Sequence, residues 1–295
     1  MFNKVLLTLS MLLVAEPSLS ALADTPQAST DQPAVVSPKT LTIGEKLKNV
    51  KTYQYYLSSG NASIGEKMKK VDLVIVEPVE MQDQYIKEAQ KNGTLVYGYI
   101  NAMEADKWNK DLFKQFKEED FYHDKNGKRK YIAKWDAYLM NMDSKHYQEV
   151  LLKEIKKRVV DRKLDGVFFD TVGDIDDEYS GSAQQKQREG MVNLMKQVKK
   201  QYNGLSIAQN WGFETLEKYT GPYVDFIMWE DFNYSEIAHD DWSLEHMEKL
   251  KKVRAQYGTQ IMAVSFKDKT QSEQLAKKHG FKFLWHPAGS DYNKW

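Results

Sequence analysis

The sequence predicts an α/β protein built as a single (β/α)8 TIM barrel with an elaborated third βα connection. Three observations carry this prediction. Eight short apolar, aromatic and β-branched runs recur along the chain, as strands buried on both faces require. Apolar residues at helical spacing lie between them, and glycines stand where helices hand over to the next strand. Once the amino-terminal segments are set aside, residues 41–295 remain, roughly 255 residues against the ~250 of a typical barrel.

The first 23 residues read as a signal peptide. Lys4 precedes the apolar run Val5 to Ala15, and Ala21-Leu22-Ala23 offers the small-x-small site for cleavage before Asp24. That run is shorter than the ~20 residues a membrane-spanning helix needs, so no membrane insertion is expected after cleavage and the mature chain is expected outside the cell. Residues 24–40, rich in Pro, Ser, Thr and Asp, read as a disordered linker. Residues 41–295 form the domain.

The expected strands are TYQYYL from Thr52, DLVIVE from Asp72, TLVYGYI from Thr94, DGVFFD from Asp165, LSIAQN from Leu205, DFIMWE from Asp225, TQIMAVSF from Thr259 and FKFLWHP from Phe281. Met191, Leu194, Met195, Val198 and Tyr202 recur at helical spacing, as do Leu244, Met247, Leu250, Val253 and Tyr257. Gly93, Gly204, Gly258 and Gly280 each precede a strand and suit left-handed helix exits. Ser63 with Glu66 and Thr270 with Glu273 have capping-box spacing. AYLMNM from Ala137 is a ninth apolar run. Its shortness and polar flanks assign it to the third connection, the alternative being a barrel strand with closure elsewhere.

Composition narrows the function. The chain has 42 basic and 42 acidic side chains and no basic stripe, which argues against nucleic acid as a partner. It has no cysteine, so disulfides and thiolate metal sites are excluded. His239, His246 and His286 do not form an HExxH motif, and DTVGDIDDEY lacks EF-hand spacing; neither a metal nor a cofactor is expected. Nothing marks an oligomer, and a monomer is expected.

In a barrel, functional groups gather at the C-terminal strand ends. Those places hold Glu77, Glu104, Asp170, Asn210, Glu230 and His286, with several tryptophans on the rim. Asp170 and Glu230 are the expected catalytic pair: glycoside hydrolysis needs one acid to protonate the departing oxygen and one carboxylate to act at the anomeric carbon, directly or through water. Their roles are interchangeable on sequence alone, and so is the choice between retention and inversion. Trp211, Trp229 and Glu104 are expected to shape sugar subsites, Asn210 to position the reacting sugar, Gln209 and His286 to contact it, and Tyr53 or Tyr55 to approach from the first strand. The acidic loops after Asp170 and Glu230 suit a ligand bearing amino groups. A non-catalytic carbohydrate-binding surface or matrix protein on the same barrel is the alternative.

Four segments also carry a resemblance. KLDGVFFDTVGDID is similar to the motif GFDGVFLDTVD, IAQNWG to PQNGE, YVDFIMWEDFNY to VDGVVVEELFY, and YGYINAMEADKW to YISVGEAEDYR. The chain resembles glycoside hydrolase family 114, the endo-alpha-1,4-polygalactosaminidase group of secreted TIM-barrel proteins, from about Tyr53 to His286. The resemblance implies a galactosamine-containing polysaccharide as substrate. It sets Asp170 and Glu230 on the family's acids, Glu104 on the glutamate of GEAE, and Gln209 and Asn210 on the QN pair. Three departures stand out: Trp211 before Gly212, Ala102-Met103 for Val-Gly, and Gly173 interrupting TVD.

Overall fold

A computed structural model describes residues 41–295; the predicted signal peptide and linker lie outside them. Eight parallel strands form the barrel: β1 Tyr53–Tyr56, β2 Leu73–Val76, β3 Leu95–Asn101, β4 Gly166–Asp170, β5 Ser206–Asn210, β6 Phe226–Trp229, β7 Gln260–Ser265 and β8 Lys282–Trp285. Each pairs with the next in chain order. Lys282, at the start of β8, donates to the carbonyls of Lys48 and Val50 just before β1 and draws the two ends of the sheet together. All eight expected strands are present.

β1 to β7 are buried on both faces while β8 is half-buried, and successive residues face opposite ways. Tyr55, Ile75, Tyr97, Phe168, Ala208 and Met228 belong to the apolar cluster inside the barrel. Their neighbours Val74, Val96, Val167, Ile207 and Ile227 belong to the cluster beneath the surrounding helices. This alternation decides which strand-end residues can reach the barrel mouth.

The helix exits at Gly93, Gly204, Gly258 and Gly280 take φ of 92°, 89°, 79° and 70°, as the sequence grammar requires. The two capping boxes do not form. Asn61 caps the helix Ala62–Met68 by accepting from the Ile64 amide, and the helix Lys269–His279 begins after Asp268. Thr42 and Glu45 make the reciprocal pair at the first helix instead. Of the later helical stripe, Met247, Leu250 and Val253 are buried, whereas Leu244 and Tyr257 lie at the exposed ends.

The third connection is elaborated. Glu104–Asp106, Tyr131–Ile132 and Ala137–Leu139 form a small antiparallel sheet beside the barrel, so AYLMNM is no barrel strand. Among the described residues, no helix is long and apolar enough to cross a membrane.

Candidate active site

The C-terminal ends of β1 to β6 open into a cleft of about 690 Å³. Asp170, the last residue of β4, has the inward parity of Phe168. Its Oδ2 accepts from the Tyr99 hydroxyl at 2.9 Å, and its Oδ1 accepts from the Thr171 amide and from Asn210 Nδ2, both at 2.8 Å. Asn210 Nδ2 also donates to Glu230 Oε1 at 3.1 Å. One amide nitrogen therefore joins the two carboxyl groups across β5, and the two oxygens that share it lie within about 6 Å of each other.

Thr171, Trp211 and Asp231, which directly follow these three residues, adopt φ of 60°, 53° and 54°. A non-glycine residue in the left-handed region costs about 1 kcal/mol or more. Three adjacent strands are thus each followed by a left-handed residue directly after a polar group of the cleft.

The electrostatics are one-sided. Among the described residues, eight carboxyl groups line the cleft and no lysine, arginine or histidine does. Burial, with the charge of Asp170 second, raises Glu230 to about 8, against the opposing pull of Tyr292 and Asn210. Burial lifts Asp106 to about 6 and Glu77 to about 7. Glu104 and Asp174 form a second carboxyl pair. Burial raises both well above the usual carboxylate range; the charges of Asp106 and Asp170 add to it at Glu104, and that of Glu104 adds to it at Asp174. Asp174 Oδ2 and Asn210 Oδ1 are buried without hydrogen-bond partners. Among the described residues, Glu119, Asp120 and His146 could together approach a cation away from the cleft. However, Asp120 already accepts from the Lys117 amide, Ser144 and His146.

Of the residues expected to contact sugar, Tyr55, Glu104, Asn210 and Trp211 line the cleft with Asp170 and Glu230. Four do not. Trp229 has the outward parity of Ile227 and is 1 % exposed, packed on Phe213 and Phe232. Gln209 also faces outward, holding the Trp211 and Gly212 carbonyls and accepting from Thr220. Tyr53 is the first residue of β1, two residues before Tyr55, and donates to the Ala263 carbonyl at 2.8 Å. His286 is buried past β8, its Nδ1 2.7 Å from the Gly289 carbonyl oxygen and its Nε2 3.2 Å from that of Lys294.

The cleft adds residues that the sequence reading missed. Tyr99 and Asn101 share the inward parity of Tyr97, a signal present in the sequence. Asn101 donates to Asp106 at 3.0 Å and accepts from the Glu104 amide and Thr171 hydroxyl. Tyr292 arrives from the carboxy-terminal segment, where no periodic pattern marks it.

The profile of glycoside-hydrolase family GH114 matches residues 30–285. The chain belongs to this family. The GH114 domain is similar in fold to the glycoside hydrolase domain of PelA from Pseudomonas aeruginosa, with a TM-score of 0.64, 17 % identity, and coverage of 83 % of this chain and 96 % of that one. It is also similar to Aspergillus fumigatus Ega3, solved as a complex with galactosamine, with a TM-score of 0.62, 15 % identity, and coverage of 83 % and 94 %. No curated protein matches the GH114 chain in sequence.

Proposed function

We propose that the chain is a secreted, endo-acting glycoside hydrolase that cleaves a galactosamine-containing or related amino-sugar polysaccharide. The observation that carries the reading is the Asp170–Asn210–Glu230 bridge on the floor of a cleft whose charged groups are all acidic. Family membership supplies the reaction class. The galactosamine bound to Ega3 agrees with the substrate class.

In this reading Asp170, oriented by three donors, is the nucleophile. Glu230, kept protonated near neutral pH, is the acid. Asp170 attacks the anomeric carbon as Glu230 gives its proton to the departing oxygen; Glu230 then takes a proton from the water that releases the sugar from Asp170. The sharing of one nitrogen supports retention, for which carboxyl groups stand about 5–5.5 Å apart, over inversion at about 6.5–9.5 Å. Tyr55, Glu104, Asn210 and Trp211 contact the sugars. Residues 1–23 direct export and are removed, and residues 24–40 form the linker ahead of the domain, which acts as a monomer without metal or cofactor.

The test is product analysis on galactosamine polymers with free amines, on fully N-acetylated chains and on uronic-acid polymers, each at two salt concentrations. Free-amine chains should be cleaved internally, less well at high salt, and D170N and E230Q should each lose activity by orders of magnitude. Sugar binding by a wild-type chain that releases no product would favour the non-catalytic alternative.

A further inference from the structure

The segment after β8 folds back over the barrel mouth. The Tyr292 carbonyl accepts from the Leu57 amide at 2.8 Å, tying the segment to the end of β1. His286 braces it through the Gly289 and Lys294 carbonyls. The Tyr292 ring stacks on Tyr55 with centroids 4.0 Å apart and packs on His286 at 4.9 Å. This segment follows residue 285, where the family match ends, yet it brings Ser290, Tyr292 and Asn293 to the cleft.

Tyr292 is 6 % exposed. Its hydroxyl lies beside Glu230 but has no well-formed hydrogen bond. A buried hydroxyl without a partner is costly, and such groups in native structures call for an explanation. The other titratable groups facing Glu230 are Asp170 from β4, Asp231 from its own loop, and Tyr53 and Tyr55 from β1, and Asn210 donates to it. Tyr53 has committed its proton to Ala263.

We propose that Tyr292 is a positioning residue for the acid of the pair, its hydroxyl becoming the hydrogen-bond donor to Glu230 once that carboxyl has lost its proton to the leaving group. The inference rests on the reading of Glu230 as the acid. A donor that waits for the charged form stabilises the carboxylate produced in the first step and holds it for the return of a proton from water. The protonated carboxyl has less need of it, which accounts for a hydroxyl close enough to pull on Glu230 yet without a well-formed hydrogen bond.

Tyr292→Phe in the full chain keeps the ring stack and removes only the donor. With free-amine galactosamine polymer as substrate, kcat should fall about tenfold with KM within about twofold, and the alkaline limb of the kcat profile should move up by about one pH unit. The Glu230 carboxyl, followed by NMR in protein labelled with ¹³C-carboxyl glutamate and assigned by its loss in E230Q, should titrate higher by the same shift. His286→Ala, which unbraces the segment without touching Glu230, should move both readouts in the same direction. Parent-like limbs and titrations in both variants, with E230Q inactive, would overturn the role of Tyr292 alone. An active E230Q would overturn the assignment of the acid, and the role of Tyr292 in catalysis with it.

Discussion

Gly173 lies directly against Trp211: a Cβ at position 173 would stand 2.7 Å from the Cβ of Trp211. These are two of the three departures from the family motifs, and they are in contact. The glycine after β4 makes room for the tryptophan after β5, which lines the cleft and stacks on Phe213 at 5.0 Å.

Gly173→Ala should therefore displace Trp211 rather than unfold the chain. The expected result is a KM for polymer raised about three- to tenfold with kcat little changed, matched by Trp211→Ala. Steady-state kinetics on both variants checks it; unchanged KM in W211A would remove Trp211 from sugar binding.

Asn210→Ala removes a donor that favours the ionised form of Glu230, whose pKa is about 8. In the parent, activity should fall about tenfold per pH unit above roughly pH 8 as the acid loses its proton. In N210A the limb should move upward, with kcat reduced by about tenfold or more. A pH–rate profile in which N210A superimposes on the parent would contradict this.

Stability should decline with rising pH. Glu104 and Asp174 are raised to about 8 and about 9, so between the unfolded carboxylate range and those values the folded chain holds more protons than the unfolded one. Their contribution is complete below about pH 4 and is lost as pH climbs through 8 to 9. Asp174→Asn, which mimics the protonated group, should melt like the parent below about pH 4 and progressively above it as pH rises to 9. Thermal scans across pH measure this directly.

Trp229→Ala and Trp108→Ala should separate packing from binding. Trp229 is enclosed and its loss should cost about 3–5 kcal/mol of stability. Trp108 lines the cleft at 54 % exposure, so W108A should keep the parent melting temperature and bind oligosaccharide more weakly. Denaturant curves paired with ligand titrations distinguish the two.

The barrel was legible because apolar runs and helix-ending glycines report local backbone physics. The catalytic candidates were legible because carboxylates terminating buried strands are conspicuous. Trp229 and Gln209 have the residue types of a sugar site but not its parity: each sits one position from an inward residue, and one position along a strand reverses the face. Tyr99 obeyed the same rule and could have been found. Tyr292 could not, since only tertiary folding of an irregular segment brings it beside Glu230. The capping spacings failed because Asn61 and Asp268 began their helices first, leaving Ser63 and Thr270 inside them.

A cavity whose charged lining, among the described residues, is acidic behaves as a cation exchanger in miniature. The protons held on Glu104, Asp174 and Glu230 act as its resident counter-ions near neutral pH. An ammonium group entering on the proposed reading substitutes for one of them, so docking of the sugar chain releases acid into the buffer. Affinity is then tied to pH from both partners: it tightens as the carboxyl groups give up their protons and slackens once the amines lose theirs, leaving a window in which the polymer is still charged and the cleft is ready to exchange.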